Sequence, residues 1–289
     1  MKIKTVLSLS AAAVGVAALL GYREAKRKRQ AEPDPQPEQT LDSELEARMQ
    51  EFMDHDRFPL FIQPVVELAT GKVMGGEVLP RLDHPQHGLI YPDVFLKVVN
   101  RMNFQEDFDL YVFRKSCAWL SENRGMKSVS VNFSRKTLSR PRIAGLLAGI
   151  ADEYDLEHAD LVIEITEWEK EDHIEVYREN LRQLRELGFK IILDDFGSGV
   201  TSIADLNQCD MDIVKIDRSV LLAAESADGG VILQTLIGMA AQLGVDVVCE
   251  GIETEQQEEL VRSCGGHYVQ GYRYYPPISA EELAEMLAE

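Results

Sequence analysis

The chain has 289 residues, 45% of them hydrophobic and 27% charged, which is enough for one large α/β domain or two small ones. Acidic residues outnumber basic ones by 49 to 30, and the formal net charge of −19 argues against binding a DNA or RNA polymer through a general basic surface. The four cysteines lack any C-x-x-C pair, which disfavours a zinc site and a secreted disulfide scaffold.

The amino terminus contains an uncharged, mostly apolar stretch at residues 5–22, near the minimum length for a membrane-spanning helix. A cleavable signal peptide is the alternative, but no A-x-A site follows and the basic cluster REAKRKR comes directly after the stretch. The positive-inside rule then predicts a single-pass anchor in the inner (cytoplasmic) membrane, with the rest of the chain in the cytoplasm. The predicted organisation is an anchor with its basic flank at 1–29, a Pro/Glu-rich linker at 30–40 and a folded domain at 41–289.

From residue 60 onward, short apolar runs alternate with longer amphipathic stretches, several of which close with a glycine. The runs predicted as strands are LFIQPVVEL, KVMGGEVLP, KSVSVNF, LVIEIT, KIILDD, DIVKID, VDVVCE and HYVQG. Regular alternation of this kind predicts a parallel sheet covered by helices. Eight strands favour a (β/α)₈ barrel, preceded by one N-terminal transmembrane helix.

Polar residues stand at the ends of these predicted strands. They are Glu77, Asn132, Glu164, Asp194, Asp195, Lys215, Glu250 and Gln270. Acidic residues also follow strands simply because loops are polar, but several of these lie within or against apolar sequence, where an unpaired charge is costly. Since the carboxyl ends of barrel strands meet at one face, the pattern predicts a shared site there.

Five carboxylates and an amide oxygen are hard ligands, suited to Mg²⁺ or Mn²⁺ and poorly suited to zinc. The adjacent pair Asp194 and Asp195 also needs neutralising, because each raises the cost of ionising the other. Two divalent cations would supply that charge and clamp a phosphoryl displacement, with Lys215 as a fixed positive charge and Glu250 as a candidate general base. The same groups also suit a different metal-dependent barrel enzyme, in which Lys215 abstracts a proton and the metals stabilise an enolate.

The sequence EVLPR at residues 77–81 resembles the Glu-Ala-Leu-x-Arg signature of the EAL-domain family of cyclic di-GMP phosphodiesterases. QP precedes it, and VNFS, EITE, DDFGSG, VKID, EGIE and QGY follow in the family's order, so the resemblance covers about residues 45 to 289. It implies a TIM-like barrel with an antiparallel first strand, two Mg²⁺ or Mn²⁺ ions and a homodimer. The implied reaction is hydrolysis of cyclic di-GMP to linear pGpG, which would lower second-messenger signalling at the membrane.

The resemblance also implies roles for individual residues. The implied metal ligands are Glu77, Asn132, Glu164, Asp194 and Asp195. The implied catalytic pair is Lys215 and Glu250, and the implied substrate-binding residues are Gln63, Arg81 and Gln270. Glu167 and Glu253 match residues that support the loop after DDFG and the second metal site.

Three departures from the family pattern keep a second function open. Val78 and Pro80 stand in the signature, and VTSIADL follows DDFGSG. Val99 and Asn100 stand where the family often ends the corresponding helix with Ala-Glu. Proline fixes φ and lacks an N–H, so it can shift Arg81. The alternative is a catalytically weak protein that binds cyclic di-GMP, or a protein partner, as a receptor or scaffold.

Overall fold

The computed structural model describes residues 37–165, 174–197, 211–225 and 229–288. The chain divides into two units, Met1–Ala47 and Arg48–Glu289. The predicted membrane span, residues 5–22, lies outside the described residues. Within the described ranges, no helix combines the length and apolar character needed to cross a bilayer.

The second unit is built on a closed barrel of eight strands. All strands of the described chain are β1 Leu60–Glu67, β2 Val73–Pro80, β3 Leu82–His84, β4 Gly88–Ile90, β5 Val129–Phe133, β6 Leu161–Ile165, β7 Lys190–Phe196, β8 Ile213–Ile216, β9 Asp246–Cys249, β10 Tyr268–Val269 and β11 Ile278–Ser279. The barrel order is β1-β2-β5-β6-β7-β8-β9-β10, and pairing of β10 with β1 closes it. β1 runs antiparallel to both neighbours, whereas the other neighbouring pairs are parallel. The predicted TIM-like barrel is therefore confirmed.

Helices follow most of the parallel strands and cover the outside of the barrel. The described helices are α1 Pro37–Asp54, α2 Pro92–Arg101, α3 Gln105–Glu122, α4 Arg135–Leu138, α5 Ile143–Glu153, α6 Ile174–Glu186, α7 Arg218–Ala224, α8 Gly229–Leu243, α9 Glu255–Ser263 and α10 Ala280–Ala288. Their starts carry recognisable signals: Thr254 and Gln257 form a capping box at α9, and Asp217 caps α7 by accepting a bond from the Ser219 N–H.

Strand alternation separates the core from the site. On β5, for example, Val129, Val131 and Phe133 are completely buried and share one face, while Ser130 and Asn132 share the other. Asn132 bonds to Glu77 of the neighbouring strand β2, so its face points into the barrel. The apolar core therefore lies between barrel and helices, and the polar residues are directed to the inside.

All eight predicted barrel strands are present, with ends shifted by one or two residues. The hairpin of β3 and β4 and the short strand β11 were not predicted, because runs of two or three residues carry no measurable period. Residues 85–87 form the turn of the hairpin, and Gly88, the first residue of β4, has a left-handed φ of 68°. The hairpin lies directly after Arg81 and so adds structure beside the predicted site.

Candidate active site

A single buried lysine forms the centre of the cluster inside the barrel. The Nζ atom of Lys215, on β8, lies 2.9 Å from Oε2 of Glu77 and 2.6 Å from Oε1 of Glu164. It also lies 2.6 Å from Oε1 of Glu250 and 3.5 Å from Oδ1 of Asp194. The lysine side chain is only 3% exposed. Four carboxylates from four other strands thus meet around one ammonium group.

Three amide side chains complete this cluster. Asn132 donates a hydrogen bond of 3.1 Å to Oε1 of Glu77, and Gln270 donates one of 2.9 Å to Oε2 of the same carboxylate. Gln270 also bonds to Oε1 of Gln63, whose own amide donates to the carbonyl of Tyr275. Because Gln63 and Glu77 are directly paired on β1 and β2, the antiparallel first strand contributes to the same site.

The backbone of β7 explains how two adjacent aspartates can serve one site. Successive side chains on a regular strand point to opposite faces, so only one of Asp194 and Asp195 should face inward. The pairing of β7 with β8 shifts register between Leu193 and Phe196, and Asp195 has a left-handed φ of 54°. This bulge re-aims the second carboxylate, and one oxygen each of Asp194, Asp195 and Glu250 lies within 4.8 Å of the others.

Burial and mutual repulsion perturb the pKa values of these carboxyls. Burial and the charge of Glu77 hold the pKa of Glu164 well above its usual value, and burial also raises that of Asp194. Burial raises the pKa of Glu250 to about 7, against the opposing attraction of Lys215. For Glu77, burial is outweighed by Lys215 and by the two amide donors, so its pKa is lowered. The four carboxylates together raise the pKa of Lys215 despite its burial.

The residues fit a divalent cation. Among the described residues, two buried oxygens of the cluster have no hydrogen-bond partner, Oε2 of Glu164 and Oε1 of Gln270, while Oδ1 of Asp194 makes the long 3.5 Å contact with Lys215. Unpartnered buried oxygens are costly, and carboxylate and amide oxygens are the ligands that Mg²⁺ and Mn²⁺ prefer. One lysine also cannot neutralise five neighbouring carboxylates. Cation binding would relieve both deficits.

Two other predicted site residues, Arg81 and Glu253, lie outside this cluster. Arg81 packs its guanidinium 5.5 Å from the ring of Phe61 and 5.0 Å from that of Tyr91, and Nη1 donates to the carbonyls of Leu79 and Pro80. Glu253 forms an ion pair of 2.8 Å with Arg218. Glu167 lies outside the described residues.

The cluster opens to a cavity of about 310 Å³, which reveals residues that the sequence analysis missed. Its lining residues are Gln63, Glu77, Arg218, Glu250, Gly251, Glu253, Gln270, Gly271 and Tyr272. Arg218 directly follows the VKID run and Tyr272 directly follows the Gln-Gly pair. Both residues lie within three residues of a predicted polar strand-end residue, and this proximity is the sequence signal that indicates them.

The sequence between residues 46 and 277 matches the profile of the family described as EAL domain. The chain belongs to the EAL-domain family. The carboxylate cluster on the inside of the barrel is thus a feature of an EAL domain, and it contains Glu77, the glutamate that begins the EVLPR run.

Two curated relatives and one solved structure illustrate the similarity of this EAL domain to known proteins. The probable cyclic di-GMP phosphodiesterase PdeB of Escherichia coli is 31% identical over 240 residues, which are 82% of this chain and 46% of that protein. The cyclic di-GMP phosphodiesterase NbdA of Pseudomonas aeruginosa is 31% identical over 253 residues, 86% of this chain and 32% of that protein. The chain therefore spans less than half the length of these relatives. The PaMucR phosphodiesterase in complex with c-di-GMP is 28% identical, with a TM-score of 0.75, over 83% of this chain and 99% of that one.

Proposed function

We propose that this EAL domain is a metal-dependent phosphodiesterase that hydrolyses cyclic di-GMP to linear pGpG. The observation that carries the proposal is the cluster in which four carboxylates from different strand ends surround Lys215, with a fifth brought in by the β7 bulge. The choice of cyclic di-GMP as the substrate is supported by the similarity to PdeB and NbdA, which are named as cyclic di-GMP phosphodiesterases, and to the PaMucR complex with c-di-GMP.

The residues proposed to hold two Mg²⁺ or Mn²⁺ ions are Glu77, Asn132, Glu164, Asp194 and Asp195. Asn132 uses its amide N–H₂ on Glu77, which leaves its carbonyl oxygen available as a ligand. When bound, such ions supply Lewis acidity, a bound water of lowered pKa and charge for the attacking and leaving oxygens.

Glu250 and Lys215 are proposed to act on the attacking water. Glu250 lines the cavity, and its pKa of about 7 suits a group that accepts a proton from water near neutral pH. Lys215 orients Glu250 through their 2.6 Å contact and places a fixed positive charge beside the developing negative charge. The proton passes to the carboxylate of Glu250 as the water oxygen attacks phosphorus, and the bond to the leaving 3′-oxygen breaks, this oxygen taking up a proton from solvent to become the 3′-hydroxyl of pGpG.

Gln63, Arg81 and Gln270 are the proposed substrate contacts. Gln63 and Gln270 bond to one another and both line the cavity. Arg81 lies at the end of the same EVLPR strand, with its planar fork packed between aromatic rings, and is suited to a phosphate or a guanine edge.

A catalytically weak receptor or scaffold is the second candidate function, and one observation favours it. The Nη1 atom of Arg81 donates to the backbone carbonyls of Leu79 and Pro80, so these contacts occupy a guanidinium nitrogen that a ligand would otherwise use. A receptor of this kind would bind cyclic di-GMP without forming product.

The experiment that separates the two functions is nucleotide chromatography after incubation of the purified chain with cyclic di-GMP and Mg²⁺ or Mn²⁺. The Glu250→Gln variant should lose product, because it removes the proton acceptor without changing side-chain size. Glu259→Gln, an exposed glutamate on α9, is the matched control and should retain full turnover. Product that persists in Glu250→Gln would remove this residue from the mechanism. Tight ligand binding by the unsubstituted chain without product would establish the receptor.

Two further properties belong to the proposal. A single-pass anchor at residues 5–22, with the EAL domain on the cytoplasmic side, is supported by the apolar stretch and its basic flank. A homodimer is supported by the exposed apolar side chains Leu222, Val231 and Ile232 on α7 and α8. Extraction from membranes by alkaline carbonate would contradict the anchor, and a monomeric mass in light scattering would contradict the dimer.

A further inference from the structure

Arg218 supplies the only positive charge among the described residues that line the active-site cavity. It is the first residue of α7 and comes three residues after Lys215. The cavity lining otherwise contains Glu77, Glu250 and Glu253 as its charged groups. An anionic ligand that enters this cavity therefore meets three carboxylates and one guanidinium.

The position of Arg218 is set by two features of the loop after β9. Gly251 has a left-handed φ of 71°, and a Cβ added there would lie 2.4 Å from Cγ of Arg218 and 2.8 Å from its Cδ. The glycine thus lets the arginine stem lie directly against the backbone next to Glu250. At the other end, Nη2 of Arg218 is held 2.8 Å from Oε1 of Glu253.

This arrangement leaves Arg218 accessible to a ligand. Its side chain is 49% exposed, and the ion pair with Glu253 uses one of its two terminal nitrogens. The other cations that the site offers are less accessible: Lys215 is 3% exposed and surrounded by carboxylates, and Arg81 is 7% exposed with Nη1 bonded to backbone carbonyls. Arginine also binds phosphate through a bidentate fork.

We propose that Arg218 is a substrate-binding residue that contacts the non-reacting phosphate of the cyclic dinucleotide. This inference rests on the proposed function, because it takes the ligand to be a molecule with two phosphodiesters. One diester reacts at the carboxylate cluster. The other, across the macrocycle, carries a charge that the acidic cavity would repel without a cation on its wall.

The test compares the Arg218→Ala, Arg218→Lys and Arg114→Ala variants with the unsubstituted chain. Arg114 is the matched control, since it is a similarly exposed arginine paired with Glu153 on the outer helices. Three quantities are measured: the steady-state constants with Mg²⁺, the affinity for cyclic di-GMP in Ca²⁺ by calorimetry, and the affinity of the ligand-free protein for Mn²⁺. Loss of a charge-assisted hydrogen bond predicts that Arg218→Ala raises KM and Kd for the dinucleotide by about 10- to 100-fold.

Under the proposal, kcat of Arg218→Ala stays within about threefold and its Mn²⁺ affinity within about twofold, because the proposed contact involves neither the reacting phosphate nor the ions. Arg218→Lys should recover part of the affinity, and Arg114→Ala should match the unsubstituted chain. Unchanged KM and Kd in Arg218→Ala would overturn the inference, as would a parallel loss of Mn²⁺ affinity. If the unsubstituted chain binds cyclic di-GMP without turnover, the proposed hydrolysis fails, while the calorimetric comparison still decides the role of Arg218.

Discussion

Replacement of Lys215 by methionine tests whether this ammonium group holds the carboxylate cluster together. Methionine is apolar and of similar length, so Lys215→Met removes the charge and leaves Glu77, Glu164 and Glu250 without their partner at 2.6 to 2.9 Å. Removing one partner of a buried ion pair costs about 3 to 5 kcal/mol. At roughly 2 to 4 °C per kcal/mol for a domain of this size, the variant should melt about 10 °C lower in EDTA.

The assay is thermal unfolding followed by circular dichroism, first in EDTA and then in MgCl₂. A cation at about 100 times its Kd stabilises the folded state by about 2.7 kcal/mol, and the uncompensated cluster of the variant should bind it more tightly. Mg²⁺ should therefore reduce the difference in melting midpoint between Lys215→Met and the unsubstituted chain. Lys190→Met, at the exposed start of β7, is the control and should shift the midpoint little. A Lys215→Met midpoint within about 2 °C of the unsubstituted chain in EDTA, or a gap that Mg²⁺ leaves unchanged, would refute the reasoning.

Three further predictions concern stability and cation binding. The Asp109 carboxyl accepts bonds from Ser134 and Thr137, yet burial raises its pKa to about 6. The pKa of Asp109 is therefore higher in the folded chain than in the unfolded chain. The protonated carboxyl stabilises the fold fully below the unfolded pKa, and this stabilisation is lost as pH rises through about 6. The free energy of unfolding, measured in urea at about pH 5 and at about pH 8, should fall by about 1.4 kcal/mol more in the unsubstituted chain than in Asp109→Asn. An equal fall in both proteins would contradict this prediction. Gly76→Ala should destabilise by about 1 to 3 kcal/mol, since its Cβ would lie 2.6 Å from Ile62. In Gly238→Ala on α8 the added Cβ meets nothing within 4 Å, so this variant should be more stable by about 0.5 to 1 kcal/mol. A change in the free energy of unfolding of the same sign in both glycine variants would contradict the packing. Burial and the charge of Glu77 hold the pKa of Glu164 well above its usual value, so glutamine resembles its neutral form and should not lower the metal-free melting midpoint. Glu164→Gln should nevertheless lower Mn²⁺ affinity by at least about tenfold, and calorimetry showing unchanged affinity would remove Glu164 from the ligands.

The barrel and most of its polar cluster could be predicted because both depend on local patterns. A short apolar run in the sequence indicates each strand. Closure of the barrel brings the ends of these strands together, independently of the conformation of the connecting loops. Lys215 and Glu164 could be placed at one face for this reason, although they are 51 residues apart.

Other features of the site depend on backbone geometry that no residue type specifies. The left-handed φ of Asp195 brings both aspartates to one side, whereas a regular strand would separate them. The place of Arg218 depends on how closely the Gly251 backbone approaches it, which is a tertiary contact. The position of Arg81 between Phe61 and Tyr91 likewise depends on packing between β1 and the segment after the β3–β4 hairpin.

We propose that the carboxylate cluster uses divalent cations to hydrolyse cyclic di-GMP. The most direct measurement is product formation by the purified chain at a fixed cyclic di-GMP concentration, first in EDTA and then during titration with Mg²⁺ or Mn²⁺. The account predicts no product in EDTA and stoichiometric pGpG once the cation is added. Formation of pGpG in EDTA, or bound but intact cyclic di-GMP at saturating Mg²⁺ and Mn²⁺, would contradict it.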